Sequence, residues 1–267
     1  MSDRYAVIGN PVAHSKSPWI HAEFARATGQ PIEYIRIEAP LDGFARTVAA
    51  FRASGGRGAN VTAPFKEEAF GLCTRLSERA RAAGAANTLR FDGEGETYGD
   101  NTDGVGLVTD LERNLGFAIA GKRVLIAGAG GAARGVVGPL AAAGAAALAI
   151  ANRDAARARA LAARFPPARG GGYEEFAGER FDLVINATST GFTGAMPPLP
   201  EGVFAPGALA YEMAYGRDTA FLAAARAAGA RTADGLGMLV EQAAESFFVW
   251  RGVRPPTRAV LAALRAG

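Results

Sequence analysis

The chain has 267 residues, 49% of them hydrophobic, which predicts about two domains with well-formed cores. Its net charge of +3 is spread along the chain without a Lys/Arg-rich cluster, so no nucleic-acid partner is expected. The single cysteine, Cys73, excludes an internal disulfide and reads as a small buried hydrophobe. The longest apolar run, residues 136–151, is shorter than the ~20 residues of a membrane span and is interrupted by Gly138, Pro139 and Gly144. With no leader-like opening before the first strand, a soluble, cytoplasmic protein is expected.

Residues 5–9 predict a buried strand, followed by the loop Asn10-Pro11-Val12-Ala13-His14-Ser15-Lys16-Ser17. Ser17 as N-cap and Pro18 at the first helical position predict a helix to about Thr28. Residues 32–38 alternate as a strand does, and residues 43–53 have a helical pattern. A short strand at 58–62 ends before Pro64, and Phe65-Lys66-Glu67-Glu68 begins another helix. Ser77 predicts the cap of a further short helix, and residues 87–91 return as a strand. These elements form an α/β layer of their own.

Asp100-Asn101-Thr102-Asp103-Gly104 leads into a predicted helix over 105–115. Strands near Val124, Leu148, Leu183 and Leu209 then alternate with helices after Gly130, Asp154 and Asp218. Two helical segments, 237–251 and 257–265, close the chain around Pro255-Pro256. The fold class expected is α/β in two domains. Residues 1–101, completed by 237–267, form the first, and residues 102–236 form a Rossmann-like doubly wound second.

Within the second domain, the apolar run 124–127 suits a parallel strand buried on both faces, and it enters Gly128-x-Gly130-x-x-Ala133. The first glycine permits the bend, the second lets backbone approach a pyrophosphate, and the third small position lets the helix pack on the strand. Gly128, Ala129, Gly130, Gly131 and Ala132 are therefore candidate dinucleotide contacts, aided by the free N–H groups of the helix start. The next strand ends in Asn152-Arg153-Asp154, with Arg157 one turn on. Arginines without an acid at the strand tip suit a ribose 2′-phosphate, which favours NADP over NAD. Asp154 either caps the following helix or repels the phosphate.

Ser15, Ser17, Asn60, Thr62, Asn87 and Asp103 are short hydrogen-bonding residues at strand ends or loops of the first domain. Such a set suits a small polyhydroxylated ligand, with the serine hydroxyls fitted to a carboxylate. Taken singly, each also fits a cap or turn role. Hydride transfer to a ketone needs a proton donor for the developing alkoxide, a role open to Lys66 with Asp103 beside it. His14 and His21 are other possible acids that no spacing orients. No His/Cys/Asp/Glu cluster has metal-ligand spacing, and no Gly-x-Ser-x-Gly elbow occurs.

The chain is similar to the bacterial shikimate dehydrogenases throughout its length. Gly9-Asn10-Pro11-Val12-Ala13-His14-Ser15-Lys16-Ser17-Pro18 resembles that family's substrate loop, which implies that Ser15 and Ser17 hold the shikimate carboxylate. Asn60-Val61-Thr62-Ala63-Pro64-Phe65-Lys66 resembles its catalytic strand and turn, implying Lys66 as acid/base. Asn87-Thr88-Leu89 and Gly99-Asp100-Asn101-Thr102-Asp103-Gly104 match segments that imply a substrate contact from Asn87 and a catalytic partner in Asp103. Asn152-Arg153 with Arg157 resembles the NADP-phosphate clamp, though the family commonly reads Asn-Arg-Thr where this chain has Asp154.

Asn186-Ala187-Thr188-Ser189-Thr190-Gly191 resembles the loop after the fourth nucleotide strand, which makes Thr188 a cofactor contact. Tyr211-Glu212-Met213-Ala214-Tyr215 implies Met213 against cofactor and Tyr215 against substrate. The segment from Asp234 to Ala244 resembles the closing helix, implying Gly237 and Met238 near the nicotinamide and Gln242 on a substrate hydroxyl. The resemblance implies NADPH-dependent reversible reduction of 3-dehydroshikimate to shikimate, in the pathway to aromatic amino acids; whether the chain acts as a monomer or homodimer is not readable from its residues. The alternatives are a quinate or dual quinate/shikimate dehydrogenase using NAD or NADP, and a sensor that binds NADP without catalysis.

Overall fold

The computed structural model describes residues 2–93 and 95–266, apart from the side chains of residues 192 and 193. Contacts divide the chain into two compact units, Met1–Gly106 with Leu239–Gly267, and Leu107–Met238. The first contains β1 (Asp3–Gly9), α1 (Ser17–Thr28), β2 (Ile32–Glu38), α2 (Phe44–Ala53), β3 (Gly56–Val61), α3 (Lys66–Gly71), β4 (Arg75–Leu76), α4 (Glu78–Ala83), β5 (Thr88–Asp92) and β6 (Glu96–Asp100). Helix α5 (Asp103–Thr109) carries the chain into the second unit. That unit has β7 (Arg123–Ala127), α6 (Gly131–Ala142), β8 (Ala147–Ala151), α7 (Ala155–Ala162), β9 (Arg169–Gly171), β10 (Phe181–Asn186), α8 (Thr190–Thr193), β11 (Phe204–Glu212), α9 (Ala220–Ala227) and β12 (Arg231–Asp234). The chain returns to the first unit through α10 (Leu236–Arg251) and ends with α11 (Arg258–Ala266).

The first unit's sheet runs β2-β1-β3-β5-β6-β4. Strands β2, β1 and β3 are parallel, while β5 is antiparallel to both β3 and β6. Tyr5 to Gly9 are all buried, as expected of an apolar strand between two neighbours, and the outer strand β2 is half-exposed along its length. Ile8, Phe44, Phe51, Val61, Phe65 and Leu89 share one core. Strand β6 is new relative to the sequence reading. Its residues have little apolar periodicity, and its partner β5 supplies the order by pairing Asp92 with Glu96 and Thr88 with Asp100.

The second unit's sheet is parallel throughout, in the order β12-β11-β10-β7-β8-β9. Counted from β7 this is the doubly wound order 3-2-1-4-5-6, and the winding reverses between β7 and β10. The α/β class with a Rossmann-like unit is thus present as read. Leu125 and Ala127 face one core cluster, Val124 and Ile126 the other, so β7 is covered on both sides. Ligands of such sheets bind outside the carboxyl ends of strands at the reversal, where Gly128 follows β7 and Ala187 follows β10.

Two expectations are corrected. Lys16, not Ser17, is the N-cap of α1, with no side-chain cap bond; Ser17 is the first helical residue and Pro18 follows it. Ser15 Oγ accepts the Ser17 N–H at 3.3 Å, so the hydroxyl two residues upstream takes the capping role. The helix predicted from 105 begins at Asp103 and closes in a π-turn over Asp110–Asn114, where Asp110 Oδ2 accepts the Tyr211 hydroxyl at 2.7 Å.

Candidate active site

In the first unit, Lys66 and Asp103 each open a helix just beyond a strand end, after β3 and β6. Their side chains meet, with Lys66 Nζ donating to Asp103 Oδ2 at 2.5 Å. The pair is largely withdrawn from water, at 16% and 6% side-chain exposure, which strengthens the attraction over that of a surface pair. Asn87 Nδ2 donates to Asp103 Oδ1 at 2.8 Å, so both carboxylate oxygens are engaged and the carboxylate cannot rotate freely. The backbone N–H of Ala86 donates to Lys66 O, tying the loop before Asn87 to the start of α3.

The network extends beyond the pair. Gln242 Oε1 on α10 accepts from Asn87 Nδ2 at 3.3 Å and from Thr102 Oγ1 at 3.4 Å. Asn60 Nδ2 donates to Ser246 Oγ at 2.9 Å, and Tyr34 donates its hydroxyl to Asn60 Oδ1 at 2.8 Å. Ser15 and Ser17 are buried with their hydroxyls 3.1 Å apart. Thr62 stands half-buried just past β3, and its Cγ2 would lie 2.2 Å from a Cβ at Gly9, so glycine there admits the threonine methyl. Lys66, Asp103, Asn87, Asn60 and Gln242 thus belong to one connected polar cluster. Tyr215, also assigned to substrate, lies half-buried in the second unit.

Sequence reasoning missed several residues of this cluster. Thr102 and Ser246 bridge it at 3.1 Å, and Ser246 sits one turn after Gln242 on α10, a spacing that could have flagged it. Arg36 donates through Nε and Nη2 to the Ser15 carbonyl at 2.9 and 2.6 Å, holding the serine loop. His21 is excluded as an acid. It is fully buried, its ring stacks on Tyr34 at 4.2 Å, both nitrogens lack hydrogen-bond partners, and burial depresses its pKa to about 3. Cys73 is half-buried, and burial pushes its thiol up to about 12, consistent with an inert packing role.

In the second unit, Gly128 has φ +113°, and a Cβ there would lie 2.9 Å from the Ala187 carbonyl oxygen. Glycine is therefore required by the protein itself. Gly130 differs, because its Cβ would meet no protein atom within 4 Å. It caps α6 without a side-chain bond, so the first-turn N–H groups of Gly131, Ala132 and Ala133 lack an intrahelical partner. That opening fits a pyrophosphate. A groove of about 510 Å³ beside it is lined by Gly128 to Gly130, Asn152, Arg153, Tyr173 and Ala187 to Thr190.

Arg153 lines this groove and Arg157 follows one turn on; both are exposed and carry no ion pair among the described residues, whereas Arg159 is paired with Glu175. Asp154 caps α7, its Oδ1 accepting the Arg157 N–H at 3.2 Å, and Asn152 Nδ2 donates to the Asp154 carbonyl. Met238 is buried in the unit's core with Met213 packed against that cluster. Gly237 leaves no room for a side chain, since its Cβ would fall 1.8 Å from Asp110 Oδ1. Among the described residues no group of His, Cys, Asp and Glu could hold a metal, and no helix is long and apolar enough to cross a membrane.

A doubly wound unit with an open glycine turn at the sheet reversal, and an α/β unit bearing a part-buried lysine–carboxylate pair, is the build of a nicotinamide-dependent oxidoreductase. Comparison with known proteins narrows the class. Residues 7–89 match the family described as shikimate dehydrogenase substrate binding domain, and residues 110–191 match shikimate/quinate 5-dehydrogenase. Residues 235–265 match the shikimate 5′-dehydrogenase C-terminal domain. Shikimate dehydrogenase (NADP(+)) of Dechloromonas aromatica is 62% identical, over 100% of this chain and 98% of that protein. The crystal structure of an Ael1 enzyme from Pseudomonas putida superposes with TM-score 0.92 at 53% identity, covering 98% of each chain. That of shikimate 5-dehydrogenase from Thermus thermophilus, in complex with NADP(H) and shikimate, gives TM-score 0.87 at 34% identity and 99% of each chain. The chain belongs to the shikimate dehydrogenase family.

Proposed function

We propose that this protein catalyses the NADPH-dependent, reversible reduction of 3-dehydroshikimate to shikimate, a step toward the aromatic amino acids. The observation that carries the reading is the part-buried Lys66–Asp103 pair inside a cluster of hydroxyls and amides, on a chain whose relatives, matched over nearly their whole length, bear the name shikimate dehydrogenase (NADP(+)). The first unit is read as the substrate-binding domain and the second as the NADP-binding domain.

NADPH, when bound, supplies the hydride that reduces the substrate ketone. Lys66 supplies the matching proton, giving it from Nζ to the oxygen of the forming alkoxide and regaining one from water afterwards. Asp103 holds that ammonium in place through Oδ2, while Asn87 fixes the carboxylate through Oδ1. In the reverse direction, Lys66 Nζ takes the proton of the substrate hydroxyl as the hydride leaves for NADP.

Ser15 and Ser17 donate to the substrate carboxylate, with Arg36 holding the Ser15 carbonyl from behind. Asn60, Thr62, Asn87, Tyr215 and Gln242 serve the ring hydroxyls. Gly128, Ala129, Gly130, Gly131 and Ala132 cradle the pyrophosphate. Asn152, Arg153 and Arg157 hold the 2′-phosphate, and Thr188, Met213, Gly237 and Met238 face the rest of the cofactor. The enzyme works in the cytoplasm as a monomer or homodimer, which light scattering of the purified protein distinguishes.

Lys66→Ala will lower kcat by about 10²–10⁴-fold while leaving the shikimate Kd nearly unchanged. Turnover close to wild type would overturn the assignment. Steady-state rates with shikimate and quinate, each with NADP and NAD, check the substrate. Equal efficiency on quinate would make this a dual enzyme.

A further inference from the structure

We propose that Glu212 is a positioning residue of the cofactor site, a buried carboxylate that orients the loop after β10 against the glycine turn. The inference rests on the reading that this loop, through Thr188, faces NADP.

Glu212 is the last residue of β11 and is fully buried. No Lys or Arg pairs with it among the described residues. Its oxygens accept instead from three neutral donors: Oε2 from Asn186 Nδ2 at 2.7 Å and Thr219 Oγ1 at 3.2 Å, and Oε1 from the Ala214 N–H at 3.1 Å. The loop closes directly on this carboxylate, because a Cβ at Gly191 would lie 2.6 Å from Oε1. Burying a charge without a counter-ion is unfavourable, and an apolar or amide side chain would suit mere packing better.

What a carboxylate adds is direction. It only accepts, so Asn186 must turn its NH₂ toward Glu212 and its oxygen the other way. That oxygen, Oδ1, accepts both the Thr188 N–H at 3.1 Å and the Thr188 hydroxyl at 2.7 Å. The Thr190 hydroxyl stands 2.6 Å from the same Thr188 oxygen, so the Thr188 rotamer is held between Asn186 Oδ1 and Thr190. Thr188 in turn walls the groove at the glycine turn, its Cγ2 falling 3.2 Å from a Cβ at Gly128, while Ala187 N–H donates to Ala127 O at 2.8 Å. Glu212, Asn186 and Thr188 form a relay ending at the groove. A glutamine at 212 would present its own NH₂ to that of Asn186 or let the Asn186 amide turn over, and Thr188 would lose its fixed acceptor.

The test uses the full-length protein, with NADPH Kd read by fluorescence titration and Tm by thermal denaturation. Glu212→Gln is expected to raise the NADPH Kd about tenfold, the loss of a buried hydrogen bond to a charged group, with the shikimate KM within about twofold of wild type. The double variant Glu212→Gln/Asn186→Asp reverses the donor and acceptor, and its introduced carboxylate still accepts from Thr188. It is expected to recover most of the lost affinity. An E212Q enzyme with wild-type Kd, or a double variant no better than E212Q, would overturn the proposal. Failure of both variants to fold would also overturn it, by making Glu212 a general structural residue. Wild-type protein that binds no NADPH at all would instead sink the cofactor reading.

Discussion

The carboxylate of Asp154 caps α7, while its charge stands next to Arg153 and three residues before Arg157. It therefore stabilises the helix that presents the arginines and opposes the dianion they are read to hold. Asp154→Asn keeps a good capping side chain and removes the charge. It is expected to lower the KM for NADP by roughly two- to fivefold with the KM for NAD unchanged, since an exposed charge acts through screened electrostatics. Arg153→Ala is expected to do the reverse, raising the NADP KM about tenfold or more. An unaltered NADP/NAD ratio in both variants would place the 2′-phosphate elsewhere. Single residues could be singled out where a motif carried them: Lys66, Asp103 and the arginines at 153 and 157 sit in segments that resemble the family's own. Glu212, Ser246 and Arg36 could not be, because an acid in a strand, a serine in a helix and an arginine on an edge strand are ordinary until their partners are known.

At the scale of elements, the strand–turn–helix from β7 into α6 shows two glycines doing different work. Gly128 has positive φ and a backbone oxygen where its Cβ would go, so Gly128→Ala is expected to cost about 2–3 kcal/mol of stability. Gly130 has ordinary φ and open space, so Gly130→Ala should change stability by less than about 0.5 kcal/mol. That same methyl would occupy the pyrophosphate's approach, and the NADPH Kd is expected to rise at least ~10-fold. Thermal denaturation without cofactor, set beside NADPH titration, separates the two effects. Normal NADPH binding by Gly130→Ala would remove the phosphate from this turn. The turn was readable because its geometry is local. Strands β6, β9 and β12 were not, since short segments with little apolar periodicity acquire strand geometry only from a neighbour's ladder.

At the scale of the whole molecule, acid stability offers a test through His21. Its pKa is about 3 in the fold and near 6.5 when unfolded, so below pH 6.5 the unfolded chain takes up a proton the folded one refuses. Stability is therefore lost as pH falls from about 6.5 toward 3, by about 3 kcal/mol between pH 7 and pH 4 for this residue alone. His21→Phe keeps the stack on Tyr34 and removes the titration. Urea unfolding at the two pH values should show a shallower loss in the variant, and equal losses would remove His21 from the acid response.

The amino-acid sequence by itself determined the longer strands and helices and their alternation, the two-domain α/β class, the glycine turn after β7 and the kinds of side chain standing at strand ends. Each depends on neighbours a few residues away: apolar period, glycine φ, proline at a helix start. Only the tertiary structure decided which donor meets which acceptor. Asn60 and Ser246 are 186 residues apart, Thr102 and Ser246 are 144 apart, and Asn186 and Glu212 are 26 apart. Bonds of that reach follow from how strands and helices pack, and no local pattern encodes them. The tertiary structure likewise settled the capping role of Asp154 and removed His21 from the candidate acids, because a side chain's burial and partners are set by what folds over it.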